Sequence, residues 1–170
     1  MNSSDDIDPG LRAALVSIYE EVMWLSRRPN VSAGRARGWY THIMAESVKR
    51  RLRTFTGSVS QQAVATQGLD LRLEHYMRIQ TTLTALVERH RTDEHPNPEE
   101  FVRTLIAYER VHIVTVKENY DAMRARGDAQ KAGIVLVPWA SIPANRRVGL
   151  LRTMLRGRVA NATAYAESSI

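Results

Sequence analysis

Only two runs in this chain have the β-branched character of strands, and both lie between Asn97 and Trp139. The stretch opens with Asn97-Pro98-Glu99-Glu100. An N-cap amide, a proline at the first helical position and two carboxylates at the positive helix end together start a helix. Phe101, Val102, Leu105, Ile106 and Tyr108 give that helix its apolar face. Val111 to Val114 is the first strand. Thr115-Val116-Lys117-Glu118 then matches a capping box, in which each of two side chains accepts from the other residue's orphan N–H, and predicts a helix ending near Gly127. Ile134 to Val137, closed by Pro138, is the second strand. Paired directly across the helix between them, the two strands are parallel and need a right-handed crossover.

Everything else reads as helix. Asp8 caps and Pro9 opens the first, whose stripe of Leu11, Leu15, Ile18, Val22 and Leu25 is widened by Met23 and Trp24. A second opens at Asn30 or Ser32 and gives firm signal from Trp39 to Phe55, with Tyr40, Met44, Val48, Leu52 and Phe55 on one face. Ser58-Val59-Ser60-Gln61 fits a capping box, so a third covers about 59–67. A long fourth covers about 70–91, with Glu74 and Arg78 as an i,i+4 pair on its surface. The last starts at Ser141 or Ile142 and runs to about Tyr165, where Gly149 and Gly157 suggest close approach of a neighbour. The expected fold is mainly α: six to seven helices and a minor two-strand element in a single compact domain, 1–170. The loop 91–97 is a candidate sub-lobe boundary.

Composition narrows the chemistry. A chain of 170 residues buries roughly 70% of its unfolded surface, enough for one substantial core. Cysteine is absent, which removes disulfides, thiol catalysis and cysteine zinc sites together. The first residues are acidic and no run of about 18 apolar residues occurs, so neither signal peptide nor membrane span is expected, and the compartment reads as cytoplasmic.

Net charge is +6, unevenly spread. Residues 1–26 sum to −4 and residues 91–122 to −3. Residues 27–56 and 123–160 each hold eight bases against one acid, nearly all of them arginine. Guanidinium forks onto phosphate with two parallel bonds, so arginine blocks favour phosphate contact. Lys49, Arg50, Arg51, Arg53, Arg146, Arg147, Arg152, Arg156 and Arg158 are the candidate nucleic-acid-binding residues.

Catalytic signals are thin. No pair among His42, His75, His90, His95 and His112 has the spacing that puts two ligands on one helix face, so no metal site is expected. Neither a nucleophile elbow nor a glycine-rich phosphate loop is present, and no cofactor is expected. His75 and His112 are the candidate catalytic residues. A nuclease of the His-Asn-His type places a histidine, often after an acid, at a strand end, with a downstream asparagine. Glu74-His75, Asn119, and Asn145 or Asn161 can be cast so, or the casting can begin at His112, with Glu109, Glu118 and Asp121 as an acidic pocket.

Three short segments also carry a resemblance: Leu71-Arg72-Leu73-Glu74-His75, Val114-Thr115-Val116-Lys117-Glu118-Asn119 and Ala132-Gly133-Ile134. Together they resemble a group of uncharacterised bacterial and mobile-element proteins, over about 69–137. The group's Glu-His-Val-Val-Pro segment differs here, where Tyr76-Met77-Arg78 follows the histidine. The resemblance implies a fold and no activity.

The leading expectation is a non-catalytic, nucleic-acid-associated protein, a regulator or accessory factor of a mobile element or defence system, with DNA and RNA both open. The alternatives are a protein-interaction module or homodimer formed through the first helix, with Trp24 or Trp39 exposed, and a divergent metal-dependent nuclease.

Overall fold

The computed structural model describes residues 7–66, 70–75 and 77–166. They form two compact units, one of residues 7–52 and 78–108, the other of 53–66, 70–75, 77 and 109–166. The loop 91–97 lies inside the first unit. The structure is mainly helical with a smaller β component, as the sequence pattern predicts.

The regular elements of the first unit are all helices among its described residues. Helix α1 (Pro9–Ser26) starts where expected, Asp8 Oδ2 accepting from Leu11 N at 2.8 Å. Leu11, Leu15, Ile18 and Val22 are buried in the unit's own core with Tyr40, Leu83, Phe101 and Leu105. At roughly 1.5–3 kcal/mol each, these side chains supply much of what holds the unit together. These four stripe residues are therefore occupied within the chain. Met23 joins the core, but Trp24 stays 59% exposed on another face of α1.

Helix α2 (Ala33–Trp39), capped by Ser32, runs into a π turn (Tyr40–Met44) and then α3 (Ala45–Leu52). Phe55, expected on this helix, lies beyond its end. Helices α5 (Ile79–Arg91) and α6 (Pro98–Tyr108), numbered in chain order, complete the unit. His90 is buried between them in a polar chain: Tyr19 Oη meets its Nδ1 at 2.7 Å, and its Nε2 meets Glu100 Oε2 at 2.7 Å. Arg89 holds the same carboxylate with two bonds, at 2.9 and 2.6 Å. Arg89 first and His90 second lower the Glu100 pKa to about 2.

The second unit is built on a four-stranded sheet ordered β2-β3-β1-β4. Strand β1 (Thr54–Ser60) runs parallel to β3 (Arg110–Thr115) and antiparallel to β4 (Leu136–Pro138), while β2 (Leu71–His75) is antiparallel to β3. The two strands legible in the sequence are β3 and β4. They do not pair; β1 stands between them. Strand β1 escaped because only Phe55 and Val59 in Thr54–Ser60 are large and apolar. Its register shifts between those two residues, at Gly57, whose φ of +82° suits glycine.

Two predicted helices change accordingly. Ser60, not Ser58, is the N-cap, and α4 (Gln61–Ala65) is a single short helix. The expected helix over 70–91 is strand β2 followed by α5, so the helical spacing of Glu74 and Arg78 does not arise. Gly68, placed where a helix C-terminal glycine closes the expected 59–67 helix, lies outside the described residues. The capping box opening α7 (Val116–Arg124) forms as predicted, Thr115 Oγ1 accepting from Glu118 N at 3.1 Å and Glu118 Oε2 from Thr115 N at 2.9 Å.

Phe55, Val59, Val111, Ile113, Trp139, Leu150 and Leu155 form one core of this unit, and Val114, Ala122 and Ile134 a smaller one. The last predicted helix is interrupted. Helix α8 (Ala144–Leu150) widens into a π turn (Leu151–Leu155), Gly157 takes φ +72°, and α9 (Thr163–Ala166) is a single turn. A Cβ on Gly149 meets nothing within 4 Å, so close approach does not explain that glycine.

Candidate nucleic-acid interface

Folding redistributes the charge that the sequence shows in blocks. The basic block 27–56 falls mostly in the first unit, whose described residues hold twelve Lys and Arg and nine Asp and Glu. The described residues of the second unit hold twelve against six, a net +6 where the first has +3. The excess of positive charge is therefore larger in the second unit.

The nine candidate bases divide by what they touch. Lys49 pairs with Glu46 on α3, and Arg51 with Asp8 at 2.8 Å, an exposed pair that water screens. Arg50 is exposed and has no ion pair among the described residues. Arg53 turns inward, its Nε donating to Glu109 Oε2 at 3.0 Å with side chains only 15% and 3% exposed. Arg146 is a structural clamp: it donates to the carbonyls of Ala63 at 2.8 Å, Val64 at 3.2 Å and Thr66, at the end of α4 where helical carbonyls lack partners. Arg147 is half-buried. Arg152 and Arg156 are exposed and have no ion pair or hydrogen bond from their side chains among the described residues. Arg158, also exposed, reaches the Thr153 carbonyl at 3.5 Å.

Arg50 apart, the surviving bases lie in one segment of the second unit. Residues 129–166 contain six Lys and Arg and no acid, so no carboxylate within the segment competes with a phosphate for its arginines. Leu150, Leu151, Met154 and Leu155 bury its inner side. The π turn adds one residue to a helical turn, rotating the residues after it by about 100° relative to an uninterrupted helix. Arg152 and Arg156 project outward from this turn and the residue that ends it. The missing acids were visible in the sequence; the inward turn of Arg53 and Arg146 was not.

The candidate catalytic residues separate. His75 ends β2 and is not helical, and its Nε2 lies 3.2 Å from Glu109 Oε2. Burial opposes ionisation of Glu109, but the hydrogen bond and charge of His75, with Arg53, outweigh it and hold its pKa below the ordinary value. His112 pairs with Glu74 in register, and His75 with Val111. Strand alternation therefore sends His75 and His112 to opposite faces of the sheet. Burial, then the nearby His75, keeps the His112 pKa low, so its imidazole is neutral at pH 7.

The other cast residues have structural work. Asn161 mimics a strand partner, donating to Phe55 O at 2.9 Å and accepting from Phe55 N at 2.8 Å. Asn145 accepts from Arg146 N at 2.9 Å, and Asn119 is buried. The three carboxylates expected to form an acidic pocket at His112 have other partners: Glu109 goes to Arg53 and His75, Glu118 to Ser60 and Thr115, and Asp121 to Lys117 and Arg124.

A polar groove of about 680 Å³ beside α7 is lined by Gln62, Asp70, Lys117, Tyr120, Asp121 and Arg124. Its two cations are matched by two carboxylates, unlike the acid-free 129–166 segment. Among the described residues, no three His, Asp or Glu side chains gather as a metal-holding group, and no helix is long and apolar enough to cross a membrane. No protein-family model, curated protein or solved structure matches the chain.

Proposed function

We propose that the second unit binds nucleic acid without sequence readout, through phosphate contacts of Arg152, Arg156 and Arg158 with Arg147 at the margin. The observation that carries this reading is the acid-free segment 129–166, whose exposed arginines are not committed to carboxylates. Such a surface positions a backbone and reads no base edge by itself. An accessory or regulatory role in a mobile element or defence system is the setting this chemistry suits. Titration of labelled duplex DNA and of duplex RNA at about 50 and about 200 mM salt tests it. Three to four phosphate contacts give a slope of about −3 in log affinity against log salt. No binding to either at the lower salt overturns the proposal.

A second reading, a metal-dependent nuclease, gains one observation: His75 stands at a strand end, held by a buried carboxylate. Cleavage that needs a divalent cation and is lost in His75→Ala supports it. Cleavage indifferent to chelator removes it.

A further inference from the structure

The first unit presents a groove that its core does not use. Ser17, Glu20, Glu21 and Trp24 follow the helical spacing of α1 and share a face outside the buried stripe. With Leu25 and Trp39 they line a groove of about 410 Å³. Trp39 Nε1 donates to Glu21 Oε2 at 2.7 Å, which fixes one wall. Glu20 is exposed and makes no ion pair among the described residues, and Glu21 keeps its second oxygen.

Trp24 also borders a second depression, with Arg27 and Arg28. There the Arg28 guanidinium carbon sits 4.7 Å from the centre of the indole. This ring therefore already accepts a cation, and on the side of the first groove it stands beside two carboxylates.

We propose that this groove docks an arginine-bearing segment of a partner protein. The cationic head lies on the Trp24 indole against Glu20 and Glu21, and the aliphatic stem covers Leu25 and Trp39. Charge complementarity selects this occupant. Phosphate and anionic lipid are repelled by the carboxylates, and a purely apolar helix strands Glu20 in a dry contact. A second copy is the poorer candidate, because a groove engaging a different surface of its twin makes a head-to-tail contact that need not close. The site is independent of the phosphate-binding segment.

The test uses the full ¹⁵N-labelled chain and three capped peptides of matched length: leucine with arginine, leucine with citrulline, and leucine with glutamate. Citrulline keeps the shape of arginine and loses the charge. The arginine peptide is expected to shift the indole N–H signals of Trp24 and Trp39 and leave that of Trp139 in place. The citrulline peptide should bind at least about five-fold more weakly, and the glutamate peptide more weakly still. Glu20→Gln should weaken the arginine peptide about two- to five-fold, and Trp24→Ala by about the same or more. Both residues are exposed, so each variant keeps the fold. Equal binding of the citrulline peptide, or of the arginine peptide to Glu20→Gln, overturns the proposal. So does self-association of the unliganded chain that Trp24→Ala abolishes, which hands the groove to a second copy.

Discussion

Replacing Glu109 with glutamine separates a buried charge network from the proposed phosphate-binding surface. Glu109 is 2% exposed, and its carboxylate meets both Arg53 and His75, at 3.0 and 3.2 Å. Glutamine keeps the volume and removes the charge, leaving the Arg53 guanidinium, on a side chain 15% exposed, without this anion. Breaking a buried ion pair from one side costs about 3–5 kcal/mol. Residual solvent access to Arg53 and His75 favours the lower edge, about 3 kcal/mol. That lowers Tm by roughly 6–12 °C for a protein of this size, and with a urea slope of about 2 kcal/mol/M moves the midpoint by about 1.5 M. The assay is urea unfolding followed by the ¹⁹F signal of 5-fluorotryptophan at Trp139, which is buried against Phe55 in the same unit.

Its pH dependence follows from the lowered pKa of Glu109. The carboxylate contributes stability above its unfolded value of 4.5 and loses it as pH falls through the lower folded value. The gap between wild type and Glu109→Gln should therefore be full above pH 4.5 and narrow below it. A loss under about 1 kcal/mol, or a gap that widens on acidification, refutes the buried-pair reasoning. Nucleic-acid affinity should stay within about two-fold of wild type, since no phosphate-facing group changes.

Other substitutions sort the remaining bases. Arg152→Ala with Arg156→Ala should leave Tm unchanged and reduce the salt slope of duplex binding by about 2, one unit per lost phosphate contact. Arg146→Ala should do the reverse, costing about 2–3 kcal/mol in urea unfolding with the slope unaltered, because three carbonyls at the end of α4 lose a charged donor. Ser60→Ala removes the N-cap of α4 and the bond from Ser60 Oγ to Glu118 Oε2 at 2.6 Å; a loss of about 2–4 kcal/mol by the same assay is expected, since both groups are buried.

Elements with local signals were legible from the order of residues alone. Asp8-Pro9, Asn97-Pro98 and the Thr115–Glu118 capping box each mark a helix end through residues close in the chain, so no distant contact is needed to read them. The burial of Leu11, Leu15, Ile18 and Val22 was legible for the same reason, through one helical period. Strands β1 and β2 were not. A strand is stable only against its partners, and Leu71–His75 and Thr54–Ser60 become strands because Arg110–Thr115 lies between them.

Charge shows the same divide. The arginine count was plain in the sequence, but it took the folded chain to bring Arg53 to a carboxylate 56 positions away and Arg146 to the carbonyls of α4. The same packing leaves the guanidinium groups of Arg152 and Arg156 in solvent. Long-range pairing sets which cations are spent internally, and so which remain to meet a partner.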